Sequence, residues 1–126
     1  MKMLIDGSRL LQDVQQEFNL AYPFLKIEFF RPHNGTAVQS SAANMLKHPM
    51  PISAARRLQK DGIMEIYDDT KVSEVENQFR DIYGLHAQVF RKSGNIWLET
   101  TMSDGWTLQR QNEHGREISD HNHFSA

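Results

Sequence analysis

Aromatic and basic side chains occur together at two places in this chain, and that combination is suited to binding. The first place is the pair Phe30-Arg31, and the second is the run Phe90-Arg91-Lys92, followed after a short turn by Trp97. Aromatic rings on an open sheet face can stack on nucleic-acid bases while arginine and lysine contact phosphate. Exposed rings can equally anchor a protein partner. We therefore predict a binding surface made of Phe30, Arg31, Phe90, Arg91, Lys92 and Trp97.

The charge balance favours a protein partner over a nucleic acid. The chain has 14 Lys and Arg against 16 Asp and Glu, which gives a formal net charge of -2. Nucleic-acid binding depends on excess positive charge, and strand alternation also turns part of the aromatic set toward the helices. We predict a non-catalytic protein-protein interaction module whose partner is another protein or a second copy of the chain. Single-stranded nucleic-acid binding through the sheet aromatics, Arg91 and Lys92 remains the alternative.

Residues that could support catalysis or hold a metal ion form no recognisable set. The chain has six histidines but no cysteine, which excludes thiolate nucleophiles, disulfides and Cys-ligated zinc. His121 and His123 stand in a polar tail, whereas zinc requires three or four ligands at fixed positions. No catalytic triad pattern and no glycine-rich phosphate loop occurs. We predict no cofactor and no metal, and a small-ligand enzyme without a known motif is the second alternative.

A repeated pattern organises the elements that carry these residues. Residues 3–24 and 64–85 match at an offset of 61, with five identities in 22 positions. In both segments apolar side chains follow one another at spacings of three, four and three, which is the stripe of an amphipathic helix. Hydroxyl groups at Ser8 and Thr70 are the expected helix N-caps. The two stripes are Leu11, Val14, Phe18 and Ala21, and Val72, Val75, Phe79 and Ile82.

Strand patterns and a second helix complete each copy. Alternating apolar residues predict strands, and the turn Ser93-Gly94-Asn95 predicts a hairpin. Glycine ends the second helix of each copy, at Gly62 and at Gly115. The predicted strands cover 3–5, 25–29, 36–39, 64–66, 87–92 and 96–99, with a last edge strand at 117–118, and the second helices cover 53–61 and 107–114.

The resulting fold is α+β: a tandem duplication of a β-α-β-β-α unit, with helices packed on an antiparallel or mixed sheet and a pseudo-two-fold between the copies. The first copy spans 1–62, the second 63–118, and 119–126 is a frayed polar tail. Because no linker separates the copies, we expect them to fuse into one compact unit. No apolar run approaches the roughly 18–20 residues that cross a bilayer, and no secretory signal is recognisable at the start. We therefore expect a cytoplasmic protein without a membrane partner.

Overall fold

The computed structural model describes residues 1–31 and 42–124, with side chains described as far as residue 120. It confirms the α+β class, because the helices occur together with two sheets whose strands are all antiparallel. Two 3₁₀ turns lie at Ala42–Asn44 and Thr101–Ser103. None of the described helices has the length and apolar character needed to cross a membrane. The elements are β1 (Lys2–Ile5), α1 (Leu11–Ala21), β2 (Leu25–Phe30), α2 (Ile52–Ala55), β3 (Gly62–Glu65), α3 (Val72–Tyr83), β4 (His86–Ser93), β5 (Ile96–Glu99) and α4 (Leu108–Phe124).

Both sheets join the two parts of the chain. The first sheet is the antiparallel pair β1 and β3, in which Met3 faces Met64. The second sheet has the strand order β2-β4-β5, and Ile27 faces Val89 at the centre of the β2–β4 pair. Each of these facing pairs therefore takes one residue from residues 1–31 and the other from residues beyond 61.

The apolar stripes of α1 and α3 form the core, as their spacing predicts. The first three members of each stripe are almost fully buried: Leu11, Val14 and Phe18, and Val72, Val75 and Phe79. The fourth members, Ala21 and Ile82, are exposed, and the tyrosine that follows each of them is buried instead. Tyr22 packs its ring 5.5 Å from the ring of Phe18, four residues earlier, so the larger side chain takes the inward position.

The predicted N-caps are wrong, because tertiary contacts satisfy the first turns. Leu10 and Lys71 precede the helices, and neither provides a side-chain cap among the described residues. The first N–H of α1 instead donates to the Met50 carbonyl at 2.9 Å, and that of α3 donates to the Trp106 carbonyl at 3.0 Å. Thr70 Oγ1 accepts a hydrogen bond from the Tyr67 N–H just before the helix. Backbone carbonyls from neighbouring segments therefore accept hydrogen bonds from the first turns, in place of the predicted hydroxyl caps.

The helix predicted over 53–61 ends early, at Ala55. Arg56 has an extended backbone, and its guanidinium, 4% exposed, donates to the Lys60 carbonyl at 2.6 Å and to Asp61 Oδ1 at 2.8 Å. Asp61 also accepts the Gly7 N–H at 3.0 Å. These hydrogen bonds hold residues 56–61 in a loop and replace the helical hydrogen bonds that were predicted for this segment.

The last helix is longer than predicted, because Gly115 lies inside it rather than at its end. The helix α4 continues to Phe124, so the edge strand at 117–118 and the frayed tail from residue 119 are both wrong as far as residue 124. At Gly115 an added Cβ would lie 3.0 Å from Phe24 Cβ and 3.0 Å from Arg91 Cγ. Glycine here allows close packing against the sheet instead of a helix stop. The strand predicted over 36–39 lies outside the described residues.

Candidate functional site

Three of the six predicted binding residues share the open face of the three-stranded sheet. Alternation in β2 turns Leu25, Ile27 and Phe29 toward the helices and Lys26 and Glu28 to the other side. The strand register places Phe90 beside Lys26, and Trp97 beside Lys92. Phe90, Lys92 and Trp97 therefore lie together on the face away from the core.

Lys26 organises this face, although the sequence did not single it out. Its ammonium lies 4.9 Å from the ring centroid of Trp97 and 5.6 Å from that of Phe90. It also forms an ion pair with Glu28, at 3.4 Å between Nζ and Oε1. Cation–π attraction and the ion pair hold the aromatic rings around a charge that is already compensated. The face is therefore aromatic, with a local charge close to neutral.

The other three predicted residues do not join this surface. Arg91 faces Leu25 across the strand pair and lies on the opposite side of the sheet, where its guanidinium donates to Gln111 Oε1 at 3.1 Å. Burial against α4 lowers the pKa of Arg91. Phe30 is only 1% exposed, and Arg31 is exposed just after β2. Alternation already separates residue 91 from residues 90 and 92, so the sequence contained the signal for Arg91.

A cleft of about 460 Å³ adjoins the open face, between α1, β2, residues 45–47 and Trp97. Its α1 wall carries amide side chains, and two of these bond the backbone of β2. Gln15 Nε2 donates to the Ile27 carbonyl at 2.7 Å, and Asn19 Nδ2 donates to the Leu25 carbonyl at 2.7 Å. The amide wall therefore closes the outer edge of β2, because it takes carbonyls that an added strand would need.

The two edges of the three-stranded sheet consequently differ. On the β2 side the Leu46 N–H also donates to the Phe29 carbonyl, at 2.9 Å. On the β5 side, the Val89 carbonyl accepts the Thr100 N–H, so odd-numbered residues of β4 direct their backbone groups toward β5. By the antiparallel pattern, the N–H and C=O groups of Trp97 and Glu99 then point outward. No strand pairs with this outer edge within residues 1–31 and 42–124.

Exposed apolar side chains flank the outer edge of β5. Ile96 is 58% exposed and Leu98 is 40% exposed, and both lie on the helix side of the sheet. Trp97 lies on the other side of the same strand, above Lys26. The β5 edge thus presents backbone groups that have no strand partner in the described part of the chain, and apolar side chains lie on both faces beside them.

Two titratable groups with altered pKa values, Glu76 and His86, lie elsewhere. The Glu76 carboxylate accepts the Val89 N–H at 2.8 Å, and burial raises the pKa of Glu76 to about 7, with Asp104 and Glu99 acting in the same direction. Burial and the neighbouring arginines, Arg57 and Arg80, lower the pKa of His86. Neither residue lines the cleft. Among the described residues no group of three acidic or histidine side chains is arranged to hold a metal ion.

Comparisons with known proteins give no match to this chain, whether with protein-family models, with curated proteins or with solved structures.

Proposed function

We propose that this chain is a non-catalytic protein-interaction module that binds an extended segment of a partner as an added strand beside β5. The observation that carries the proposal is the contrast between the two sheet edges. Gln15, Asn19 and Leu46 occupy carbonyls at the β2 edge, whereas the outward groups of Trp97 and Glu99 have no strand partner among the described residues. Strand addition uses such free groups for affinity.

The side chains around β5 favour this mode of binding. An added strand would bury alternate side chains on the two faces of the sheet. On one face it would cover Ile96 and Leu98, and on the other it would lie beside Trp97 and Glu99. Tryptophan is one of the residue types that supply most of the binding energy at protein interfaces.

The two alternatives have weaker support. For a nucleic acid, Arg91 lies on the far side of the sheet and Lys26 is paired with Glu28, so of the predicted cations Lys92 alone remains beside the rings. For an enzyme, Glu76 and His86 have altered pKa values but do not line the cleft. We also propose a cytoplasmic location, which agrees with a chain that has no cysteine.

We further propose that the chain arose by tandem duplication, with copies at 1–62 and 63–118 related by an approximate two-fold axis. Such an axis would have to pass between equivalent residues of antiparallel strands. Met3 and Met64, separated by 61 positions, face each other, and so do Ile27 and Val89, separated by 62. These two pairs support an axis that runs through both sheets.

Backbone hydrogen bonds give further support to the duplication. The bond from the Ile52 N–H to the Arg9 carbonyl, at 2.8 Å, has a counterpart from the Leu108 N–H to the Thr70 carbonyl, also at 2.8 Å. The acceptors Arg9 and Thr70 are again 61 positions apart. The same arrangement joins the start of α1 to Met50 and the start of α3 to Trp106. In each proposed copy, the start of the first helix is thus hydrogen-bonded in the same way to the start of the second helix.

The interaction proposal is tested by photo-crosslinking in the cells that make this protein. A benzophenone side chain replaces Ile96 in one variant and Leu20 in a control, because Leu20 is 75% exposed on α1. We expect discrete protein adducts from position 96 and none from position 20.

An edge-blocking variant makes the test specific. Glu99→Pro removes an outward N–H without removing a bond between β4 and β5. In this background the adducts from position 96 should be lost, while circular dichroism shows an unchanged fold. Adducts that persist in the folded Glu99→Pro variant, or equal adducts from position 20, would refute strand addition at β5.

A further inference from the structure

We propose that the strand added at β5 is the β5 strand of a second copy of this chain, so that two molecules form one continuous six-stranded sheet about a two-fold axis. This inference rests on the proposed use of the β5 edge and names the occupant of that edge. Three strands come from each molecule, in the order β2-β4-β5 and then the reverse. A two-fold arrangement is the commonest way in which identical chains associate.

The backbone geometry selects one register for this pairing. In an antiparallel pair, residues whose N–H and C=O groups point toward each other exchange two hydrogen bonds. On the outer edge of β5 these residues are Trp97 and Glu99. Trp97 therefore faces Glu99 of the second copy, and Leu98 faces Leu98 of the second copy on the axis. Two such hydrogen-bonded pairs give about four backbone hydrogen bonds.

Two neighbouring registers are less favourable. A pairing centred on Glu99 would place two carboxylates directly opposite each other, which is destabilising in a sheet. A pairing centred on Trp97 would need Asn95, which lies in the turn between β4 and β5 rather than in the strand. The register centred on Leu98 uses strand residues alone and brings no like charges together.

Charge complementarity favours a second copy in this register. Across the open face of one molecule, Lys26 lies beside Phe90, and Phe90 lies beside Glu99. The second copy continues this row with its Trp97 and then its Lys92, because those two residues are cross-strand neighbours. Each Glu99 is thus flanked by aromatic rings, with a lysine beyond each ring.

Apolar contacts on the helix side of the sheet also favour pairing with a second copy. Leu98 is 40% exposed in one molecule, and non-hydrogen-bonded pairs bring facing side chains close together. The two Leu98 side chains therefore shield each other from water at the axis. Because β5 has only four residues, the interface is smaller than that of a permanent dimer. We expect association at about 10–100 µM rather than at nanomolar concentration.

Disulfide trapping tests the register directly, since the chain has no cysteine of its own. In the proposed dimer the Cα atoms of the two Leu98 residues lie about 4.5 Å apart, within the range that a disulfide spans. Ile96 is the matched control, because it lies on the same face of β5 and is more exposed. Its counterpart lies about 13 Å away along the strands. We expect Leu98→Cys to form a covalent dimer at least tenfold faster than Ile96→Cys.

Charge complementation tests association without a covalent bond. Leu98→Lys and Leu98→Glu each place like charges on the axis, so each variant alone should sediment as a monomer. An equimolar mixture of the two should recover the dimer, because opposite charges then face each other. Leu20→Lys, on α1, should dimerise as the unmodified chain does. If Leu98 served only to stabilise the fold of one molecule, the mixture would not recover the dimer.

The outcomes separate this inference from the proposed function. A chain that stays monomeric near 1 mM, with equal trapping rates at positions 96 and 98, would overturn the self-association. The interaction module would still stand if position 96 crosslinked another protein in an edge-dependent way, and it would fall as well if it did not. Loss of dimer in Ile63→Lys but not in Leu98→Lys would instead assign the contact to the β1–β3 pair, where Leu4 and Ile63 are exposed, and would also overturn the inference.

Discussion

Glu76 is a carboxylate held where its charge is disfavoured. It lies on α3, and its carboxylate accepts a hydrogen bond from the Val89 N–H. The Val89 carbonyl accepts hydrogen bonds from the N–H and the hydroxyl of Thr100, just after the end of β5. Arg80 is the only described cation that lowers its pKa, whereas burial, Asp104 and Glu99 all raise it. Gln15 stands 61 positions earlier and also contacts a strand backbone, with a neutral amide. In the proposed duplication the position equivalent to Glu76 therefore carries an uncharged side chain.

The raised pKa makes stability depend on pH with a definite sign. The folded chain binds a proton at Glu76 up to about pH 7, whereas the unfolded chain releases it near 4.5. The free energy of unfolding should therefore fall as the pH rises between these values. Glu76→Gln removes this dependence and should stabilise the chain by about 3 kcal/mol above pH 7, with the gain vanishing below about pH 4.5.

Denaturant unfolding at a series of pH values measures this effect. Glu74→Gln is the control, because Glu74 is exposed on the same helix and should change stability by less than about 0.5 kcal/mol. A gain in Glu76→Gln that is equal at pH 4 and pH 8 would contradict a buried titrating carboxylate.

The helix α4 reaches the sheet through a close contact at Gly115. Gly115 lies against Phe24 and Arg91, and Gln111 accepts from the Arg91 guanidinium one turn earlier. Alanine normally favours a helix over glycine by about 1 kcal/mol. At this position the added methyl group would lie 3.0 Å from Phe24 Cβ and 3.2 Å from the Phe24 carbonyl oxygen, so these atoms would have to shift, and we expect packing to outweigh propensity.

Gly115→Ala is therefore expected to destabilise the chain by about 1–3 kcal/mol. Gly105→Ala is the matched control, because a Cβ at Gly105 meets no atom within 4 Å. Thermal unfolding of both variants measures the difference. Equal stability of the two would show that α4 does not pack closely on β4.

The periodic elements were predictable from the sequence because burial itself is periodic. The stripes that contain Phe18 and Phe79, and the alternation around Ile27, identify α1, α3 and β2. Helix starts and the length of α2 were not predictable, because they depend on the Met50 carbonyl and on Arg56, which are distant in sequence or held by a loop.

The candidate site was predictable only in part, for the same reason. Alternation in β4 indicates that Phe90 and Lys92 share a face. The closing of the β2 edge by Gln15 and the pairing of Lys26 with Glu28 are tertiary contacts that no local pattern reports. Sequence reasoning found the hairpin but not which edge of its sheet is open.

Contacts between distant residues hold the whole molecule together. Beyond the two strand pairings, the Tyr22 hydroxyl donates to Asp68 at 2.9 Å, and the Phe24 N–H donates to Asn112 Oδ1 at 2.9 Å. A half of about 60 residues is marginal by itself, and separation would divide both sheets. Either half alone would lose the pairings of β1 with β3 and of β2 with β4.

Cutting the chain between Asp61 and Gly62 should therefore unfold both fragments. Each fragment alone is expected to show no cooperative transition by circular dichroism, and an equimolar mixture should regain one if the strand pairs reform. A fragment that unfolds cooperatively in isolation would contradict the fused arrangement.

The pairing of β2 with β4 has a consequence for biosynthesis. The facing residues Ile27 and Val89 are separated by 62 positions, so β2 emerges from the ribosome long before its partner strand is translated. During that interval the apolar residues of β2 have no partner strand, and closing a loop over this distance slows folding. Nascent chains of this protein should therefore depend on chaperones until translation has passed β4.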